Sequence, residues 1–364
     1  MIFEKCRLKG RVLKNRIVFP PVVCFGWSKD GVMSQRHLEH YRNVAKGGAG
    51  LVIAEASCIN PAARLTESQL GIWSDDFIPG YEKLAGVCHA EGAAVTVQIH
   101  HGGIKAVTGE PLVPSLAAGE QAPAKRGALK AKELDAAGIR EIEDQFTAAA
   151  VRLKKAGVDG VELHGAHGYF LSYFISSSAN KRVDEYGGST ENRARIVSNI
   201  MKKIRSECGG GFIIGIRYGG ASPGLDDGIA LAKIFEEAGC DILNISTGAF
   251  GETIPVPGKY VEFNSAVYTA IEIKKHVSIP VIASNSVGTI EKGKILVNGG
   301  LADFAAYARN ILADYDWVKK TEQGKEPVRC FKCRTCRWFK RAFDDCPAQK
   351  IAAQKHAARK RAGY

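Results

Sequence analysis

The stretch Ala156-Gly157-Val158-Asp159-Gly160-Val161-Glu162-Leu163-His164-Gly165-Ala166-His167-Gly168-Tyr169-Phe170 decides how the chain is read. A helix ends at Ala156-Gly157, where glycine permits the left-handed turn that releases the chain. The run from Val158 to Leu163 is mostly apolar, as a buried parallel strand is. His164, His167 and Tyr169 then arrive within six residues. Two imidazoles and a phenol at the carboxyl end of a strand suit hydrogen bonding to a substrate oxygen plus proton donation. Singly, each histidine could cap local backbone and Tyr169 could pack in the core. Together, at a strand end, they point to chemistry.

The phrase of helix, small residue, glycine and short apolar strand recurs. It returns at Ala49-Gly50-Leu51-Val52-Ile53, Glu91-Gly92-Ala93-Ala94-Val95, Ala238-Gly239-Cys240-Asp241-Ile242-Leu243 and Gly299-Gly300-Leu301-Ala302-Asp303-Phe304. Such units predict a parallel sheet with helical crossovers. Eight strands are expected, at about 17–22, 51–56, 93–98, 158–163, 212–217, 241–246, 280–284 and 303–307, each apolar on both faces. Amphipathic helices fill the gaps, for example Ile139 to Lys155 and Asn192 to Glu207. Eight units make an α/β fold, the (β/α)8 TIM barrel. A doubly wound sheet would need a Gly-rich dinucleotide turn after its first strand, which the sequence lacks. Two long non-periodic stretches, His101–Leu134 and Gly248–Glu262, follow strands and are expected as lids or rims of the active face.

With 364 residues, 45% of them hydrophobic, the chain can bury a large core. Its formal charge is +12, spread over the body and denser near the C-terminus. No nucleic-acid-binding motif accompanies that charge, so it suits anionic cofactors or substrates. The start, Met1-Ile2-Phe3-Glu4-Lys5-Cys6-Arg7, has charges where a signal peptide needs an apolar run, and no segment is apolar enough to span a membrane. A cytoplasmic protein is expected, with no nucleic-acid or membrane partner; a homo-oligomer is compatible. Ten cysteines then point to metal or redox chemistry more than to disulfides.

In a barrel, chemistry sits where the strands end. Strand one ends in Pro21-Val22-Val23-Cys24, strand two in Glu55-Ala56, strand three in Gln98 with His100 and His101 after it, and strand five in Arg217. Strand seven runs into Ser284-Asn285-Ser286-Val287-Gly288 at the expected start of a helix, and strand eight into Ala308-Arg309. Helix-terminal amides with the Arg309 guanidinium would bind a phosphate; the alternative for Arg309 is a rim ion pair. Gln98 and Arg217 could bind a planar heterocycle with imide-like edges, and Arg217 would favour negative charge there. Its alternative is a buried ion pair with Glu55 or Glu162.

These residues resemble the Old Yellow Enzyme family of FMN-dependent NADH:flavin oxidoreductases. The likeness covers roughly residues 1–325 and lies in Leu13-Lys14-Asn15-Arg16-Ile17-Val18, Gly47-Gly48-Ala49-Gly50-Leu51-Val52-Ile53-Ala54-Glu55, His164-Gly165-Ala166-His167-Gly168-Tyr169, and Asn180 through Asp184-Glu185-Tyr186-Gly187-Gly188-Ser189 to Arg193. The resemblance implies that Pro21, Val22 and Val23 lie along FMN, Ala56 near its C4 carbonyl, and Gln98 and Arg217 at its pyrimidine edge. It implies that Ser286 and Arg309 bind the phosphate, and that His164 and His167 hold the substrate's activating oxygen. Tyr169 would then give a proton to the carbon opposite the hydride from flavin N5. An ene-reductase acting on an α,β-unsaturated small molecule follows, with NAD(P)H as one electron donor. Three departures stand out. Asn285-Ser286 and Ala308 replace glycines; Gln98-Ile99-His100-His101-Gly102-Gly103-Ile104 lacks the arginine of the family's Gln-Leu-x-His-x-Gly-Arg; and Val23 stands where a thiol or hydroxyl often tunes the flavin, with Cys24 one place late.

Cys330-x2-Cys333-x2-Cys336-x9-Cys346-Pro347 is too tightly spaced for an ordinary zinc site and suits a [4Fe-4S] cluster. The branch with trimethylamine dehydrogenase and 2,4-dienoyl-CoA reductase has such a cluster after its barrel. An FMN barrel over 1–325 and an iron–sulfur extension with a basic tail over 326–364 are therefore expected, together with an electron-transfer protein partner, since no nucleotide-binding domain follows. Two other readings stay open: an amine dehydrogenase of the trimethylamine dehydrogenase type, and a non-redox phosphate-binding barrel with structural zinc.

Overall fold

The computed structural model describes residues 1–115, 131–338 and 343–361. Eight parallel strands close into a barrel: β1 (Ile17–Phe19), β2 (Leu51–Cys58), β3 (Ala94–His100), β4 (Gly160–Gly165), β5 (Ile213–Gly219), β6 (Ile242–Ser246), β7 (Val281–Ala283) and β8 (Phe304–Ala306). Each pairs with its sequence neighbours, and β8 closes on β1 through Ala305 opposite Ile17. This is the expected (β/α)8 architecture. The helices α1 (Gln35–Lys46), α2 (Ile78–His89), α3 (Ala136–Lys155), α4 (Thr190–Cys208), α5 (Leu225–Glu237), α6 (Ser265–Lys274) and α7 (Ile290–Asn298) are the crossovers. Gly92, Gly157, Gly239 and Gly300 adopt φ of 69°, 74°, 96° and 67°, the left-handed turn expected after each helix.

Two apolar layers hold the barrel. Outward strand residues such as Val97, Leu163 and Ile216 pack against helix residues such as Phe146 and Ile200. Inside, at the amino end, Val18, Leu51, Ile213, Ile242, Ile282 and Phe304 form a second cluster. Leu8 and Leu13 belong to it. They come from an N-terminal antiparallel hairpin, Cys6–Leu8 with Arg11–Leu13, which stoppers the barrel from below.

The strands are not apolar on both faces as the sequence reading expected. Going up the interior, apolar residues give way to buried polar ones: Thr96, Gln98 and His100 on β3, Glu162 and His164 on β4, Arg217 on β5, Asn244 and Ser246 on β6. The first strand also stops at Phe19, because Pro20 and Pro21 offer no N–H to a ladder. Pro21, Val22 and Val23 therefore lie in the loop that follows it.

Of the two expected rims, Gly248–Glu262 runs over the carboxyl face with one short turn, Gly258–Tyr260. In the other, Leu112–Val113 pairs with Lys132–Glu133; its centre, 116–130, lies outside the described residues. After β8 come α8 (Arg309–Ala313) and α9 (Trp317–Glu322), then an extended segment and α10 (Pro347–Arg361), which lies in the expected basic tail. The end of the expected tail, 362–364, and 339–342 also lie outside the described residues. No helix is long and apolar enough to cross a membrane among the described residues.

Candidate active site

The carboxyl end of the barrel opens into a concavity of about 1080 Å³. All eleven residues singled out for catalysis and cofactor binding line it: Pro21, Val22, Val23, Ala56, Gln98, His164, His167, Tyr169, Arg217, Ser286 and Arg309. They come from seven strands or the loops just after them.

On one side stand the aromatic proton carriers. His164 closes β4, and its Nε2 lies 3.0 Å from Nδ1 of His167. His167 sits in a left-handed turn, φ 63°, which bends the chain back over the strand end. The Tyr169 ring packs against His164 with centroids 4.8 Å apart. Burial, with neighbouring cationic groups, pushes both imidazoles well below their ordinary range, so they are neutral at pH 7. Burial raises the Tyr169 phenol, so it holds its proton. Lys105 joins this side: its Nζ donates to the His167 carbonyl at 2.6 Å and lies 4.9 Å from the Tyr169 ring centre.

Beneath them lies a polar floor. Glu162 accepts from Gln98 Nε2 at 2.7 Å and from Asn244 Nδ2 at 2.8 Å. A carboxylate only accepts, so it turns the Gln98 amide nitrogen downward and leaves that side chain's carbonyl oxygen for a ligand. Burial raises Glu162, while Arg217 favours its charge. Arg217 donates from Nη2 to Asn285 Oδ1 at 3.1 Å, and its buried Nε has no partner among the described residues. A guanidinium N–H without a partner among the described residues and the Gln98 amide, both lining one concavity, fit a planar ring that offers both an acceptor and an imide N–H. The alternative ion pair between Arg217 and Glu55 does not form, because Glu55 faces α1 instead. Glu162 is its electrostatic counterpart.

The phosphate end differs from expectation in one respect. α7 begins at Ile290 with Thr289 as its cap, so Ser286 precedes the helix rather than starting it. Asn285 and Ser286 both have positive φ, 63° and 72°, a conformation that glycine adopts more readily. Arg309 donates from Nη2 to Ser286 Oγ at 2.8 Å. Ala308 has φ −83°, so its Cβ causes no backbone strain. Cys24 does not stand in for the missing thiol at Val23: it is fully buried and does not line the concavity.

The extension forms a second concavity of about 430 Å³, lined by Cys330, Cys333, Cys336 and Cys346, with Arg309 between it and the mouth. All four thiols are free. Among the described residues, no group of three or more His, Cys, Asp or Glu side chains comes close enough to hold a metal ion. The iron–sulfur expectation is thus left with four thiols around one hollow and no formed cage. Cys58, Cys88 and Cys240 are buried thiols pushed up to about 12, inert packing residues.

A closed parallel barrel whose mouth joins two neutral imidazoles, a phenol and a guanidinium suits an oxidoreductase of the TIM-barrel class. The chain belongs to the NADH:flavin oxidoreductase / NADH oxidase family, whose profile matches residues 1–327. An NADH oxidase of Thermoanaerobacter brockii is 36% identical over 350 residues, covering 91% of this chain and 52% of that protein. An NADPH dehydrogenase of Listeria monocytogenes is 36% identical over 329 residues, covering 87% and 93%. The chain thus spans about half the length of the first relative and nearly all of the second. Among solved structures, a 2-naphthoyl-CoA reductase complex with 2-naphthoyl-CoA superposes with a TM-score of 0.80 at 26% identity, covering 89% of this chain and 52% of that one. An old yellow enzyme homologue from Zymomonas mobilis gives 0.78 at 24% identity, covering 95% and 99%, a likeness of fold alone. FMN and NAD(P)H are the cofactors the family supports.

Proposed function

We propose that the protein is an FMN-dependent ene-reductase that reduces an activated C=C bond of a small α,β-unsaturated substrate. The observation behind this reading is the pairing of His164 Nε2 and His167 Nδ1 at 3.0 Å, with a proton-bearing Tyr169 beside them. Neutral imidazole N–H groups polarise a carbonyl or nitro oxygen without giving up a full proton. Tyr169 then gives its phenolic proton to the substrate carbon.

FMN, when bound, supplies the hydride from its N5. Gln98 and Arg217 would hold the ring's pyrimidine edge; Pro21, Val22, Val23 and Ala56 would flank it; Ser286 and Arg309 would bind the phosphate. Arg217 would favour negative charge on that ring. NAD(P)H is the reductant the family supports, and a separate electron-transfer protein is the second source.

Residues 326–364 are read as an iron–sulfur extension of the barrel. Cys330, Cys333, Cys336 and Cys346 would ligate a [4Fe-4S] cluster, a reading supported by their spacing and by the single hollow they share. Its place is the iron–sulfur branch of the family.

The test is a visible spectrum of the purified protein before and after heating, followed by anaerobic turnover of a cyclic enone with NADPH. Released FMN with enone reduction is expected. Flavin that stays covalently attached, or FMN without enone reduction, overturns the reading.

A further inference from the structure

A third imidazole stands behind the His164–His167 pair. His100 ends β3, is fully buried, and places its Nδ1 3.0 Å from Nδ1 of His164. At the other end, His167 Nε2 lies 2.6 Å from Ser246 Oγ. Ser246 Oγ accepts from Asn285 Nδ2 at 3.1 Å, and Asn285 Oδ1 accepts from Arg217. One hydrogen-bonded line therefore crosses the mouth from Arg217 to His100.

The groups fix its direction from Arg217 to Ser246, and the histidine tautomers set it beyond. A guanidinium only donates, so Arg217 makes Oδ1 of Asn285 the acceptor and turns the amide N–H toward Ser246. The Ser246 hydroxyl can accept from His167 Nε2 or donate to it; in the tautomer set in which it donates, His167 Nε2 is the lone pair. Burial keeps all three rings neutral, so each has one N–H and one lone pair. In that set His167 donates from Nδ1 to His164 Nε2, and His164 donates from Nδ1 to His100 Nδ1. The last N–H is then on His100 Nε2, a buried atom without a partner among the described residues.

This arrangement leaves one donor and one acceptor facing the gap between His164 Nε2 and His167 Nδ1. An oxygen that accepts from both needs the His164 proton on Nε2. His164 Nδ1 then becomes an acceptor, and its neighbour must donate to it. An imidazole can do either, by holding its own proton on Nε2 or on Nδ1. The proton count of the two rings together does not change.

We propose that His100 is a positioning residue: it grips Nδ1 of His164 in both tautomers and so frees Nε2 to donate to a bound oxygen. The inference rests on the reading of His164 and His167 as the oxygen-binding pair. It assigns a role to a position that the family's Gln-Leu-x-His-x-Gly-Arg pattern leaves open.

The test uses FMN-loaded protein labelled with 15N-histidine. A through-hydrogen-bond coupling between Nδ1 of His100 and Nδ1 of His164 is expected in the unaltered protein. With 4-hydroxybenzaldehyde bound, the His164 proton should be on Nε2. In H100L its affinity should fall about tenfold, the size of one hydrogen bond lost. In H100N, whose amide sits near the place of Nδ1, affinity should stay within about threefold of the parent, since either end of an amide can serve the bond. Absent coupling, or equal affinity in H100L at equal FMN content, overturns the proposal. If H100L does not fold, the coupling decides. If the coupling is present but the parent protein does not bind the phenol, the oxygen-binding reading fails instead.

Discussion

The backbone N–H of Cys24 donates to Oε2 of Glu55 at 2.8 Å. A fully buried carboxylate on β2 thereby ties down the loop after β1 that contains Pro21, Val22 and Val23. Tyr41 of α1 donates to the other oxygen at 3.3 Å.

Burial raises the Glu55 carboxyl from 4.5 to about 7, with the bonds from Cys24 and Tyr41 opposing. The folded state therefore binds this proton more tightly than the unfolded state. Its stabilising effect is full below pH about 4.5 and is lost as pH rises through about 7. Glu55→Gln removes that loss. Relative to the parent, the variant should gain about 2–3 kcal/mol between pH 5 and pH 8 in urea unfolding. A stability difference that does not change with pH would refute the assignment.

Tyr169→Phe should leave flavin reduction by NADPH nearly unchanged and slow substrate reduction by two to four decades, roughly the size of a lost general acid. Stopped-flow measurement of the two half-reactions separates them. Equal slowing of both would mean that the ring only packs against His100 and His164.

Arg309→Ala should weaken FMN retention by about 1.5–3 kcal/mol, one charge-assisted contact. Arg217→Ala should do the same and also lower the flavin's reduction potential, because it removes the positive charge nearest the floor of the site. Equilibrium dialysis and a potentiometric titration measure the two effects. Unchanged retention in both variants removes these residues from the cofactor site.

Anaerobically purified protein should contain about four iron and four sulfide per chain if the cysteines hold the proposed cluster. Cys333→Ser should lose both. Flavin reduction by a reduced ferredoxin should fall in that variant while reduction by NADH persists. One zinc per chain and no sulfide would turn the site into a structural one.

The eight strands were legible because a glycine closes most of the helices and a short apolar run follows each. The mouth was legible because its polar residues end those runs. Glu162, Asn244, Ser246 and the role of His100 were harder to see. Each is a single polar residue inside or at the edge of a buried strand, and only the inward alternation with His164 or Arg217 shows where it points. Glu55 misled for a different reason. Ile53 faces the barrel interior, so alternation would send Glu55 inward as well. A register shift between Ala54 and Ser57 resets the alternation, turning Glu55 toward Tyr41 and Ala56 toward the mouth. Lys105 had no signal, since it closes a short 3-10 turn, Gly103–Lys105, in a non-periodic stretch and reaches the site by its own length.

The hairpin under the barrel has a kinetic consequence. Leu8 and Leu13 shut the amino end, so traffic to the floor of the site passes through the opposite opening. On the proposed function, a pyridine nucleotide and the molecule to be reduced would take turns at one doorway. Steady-state rates should follow a double-displacement pattern, with parallel lines in reciprocal plots and each reactant inhibiting the other at high concentration.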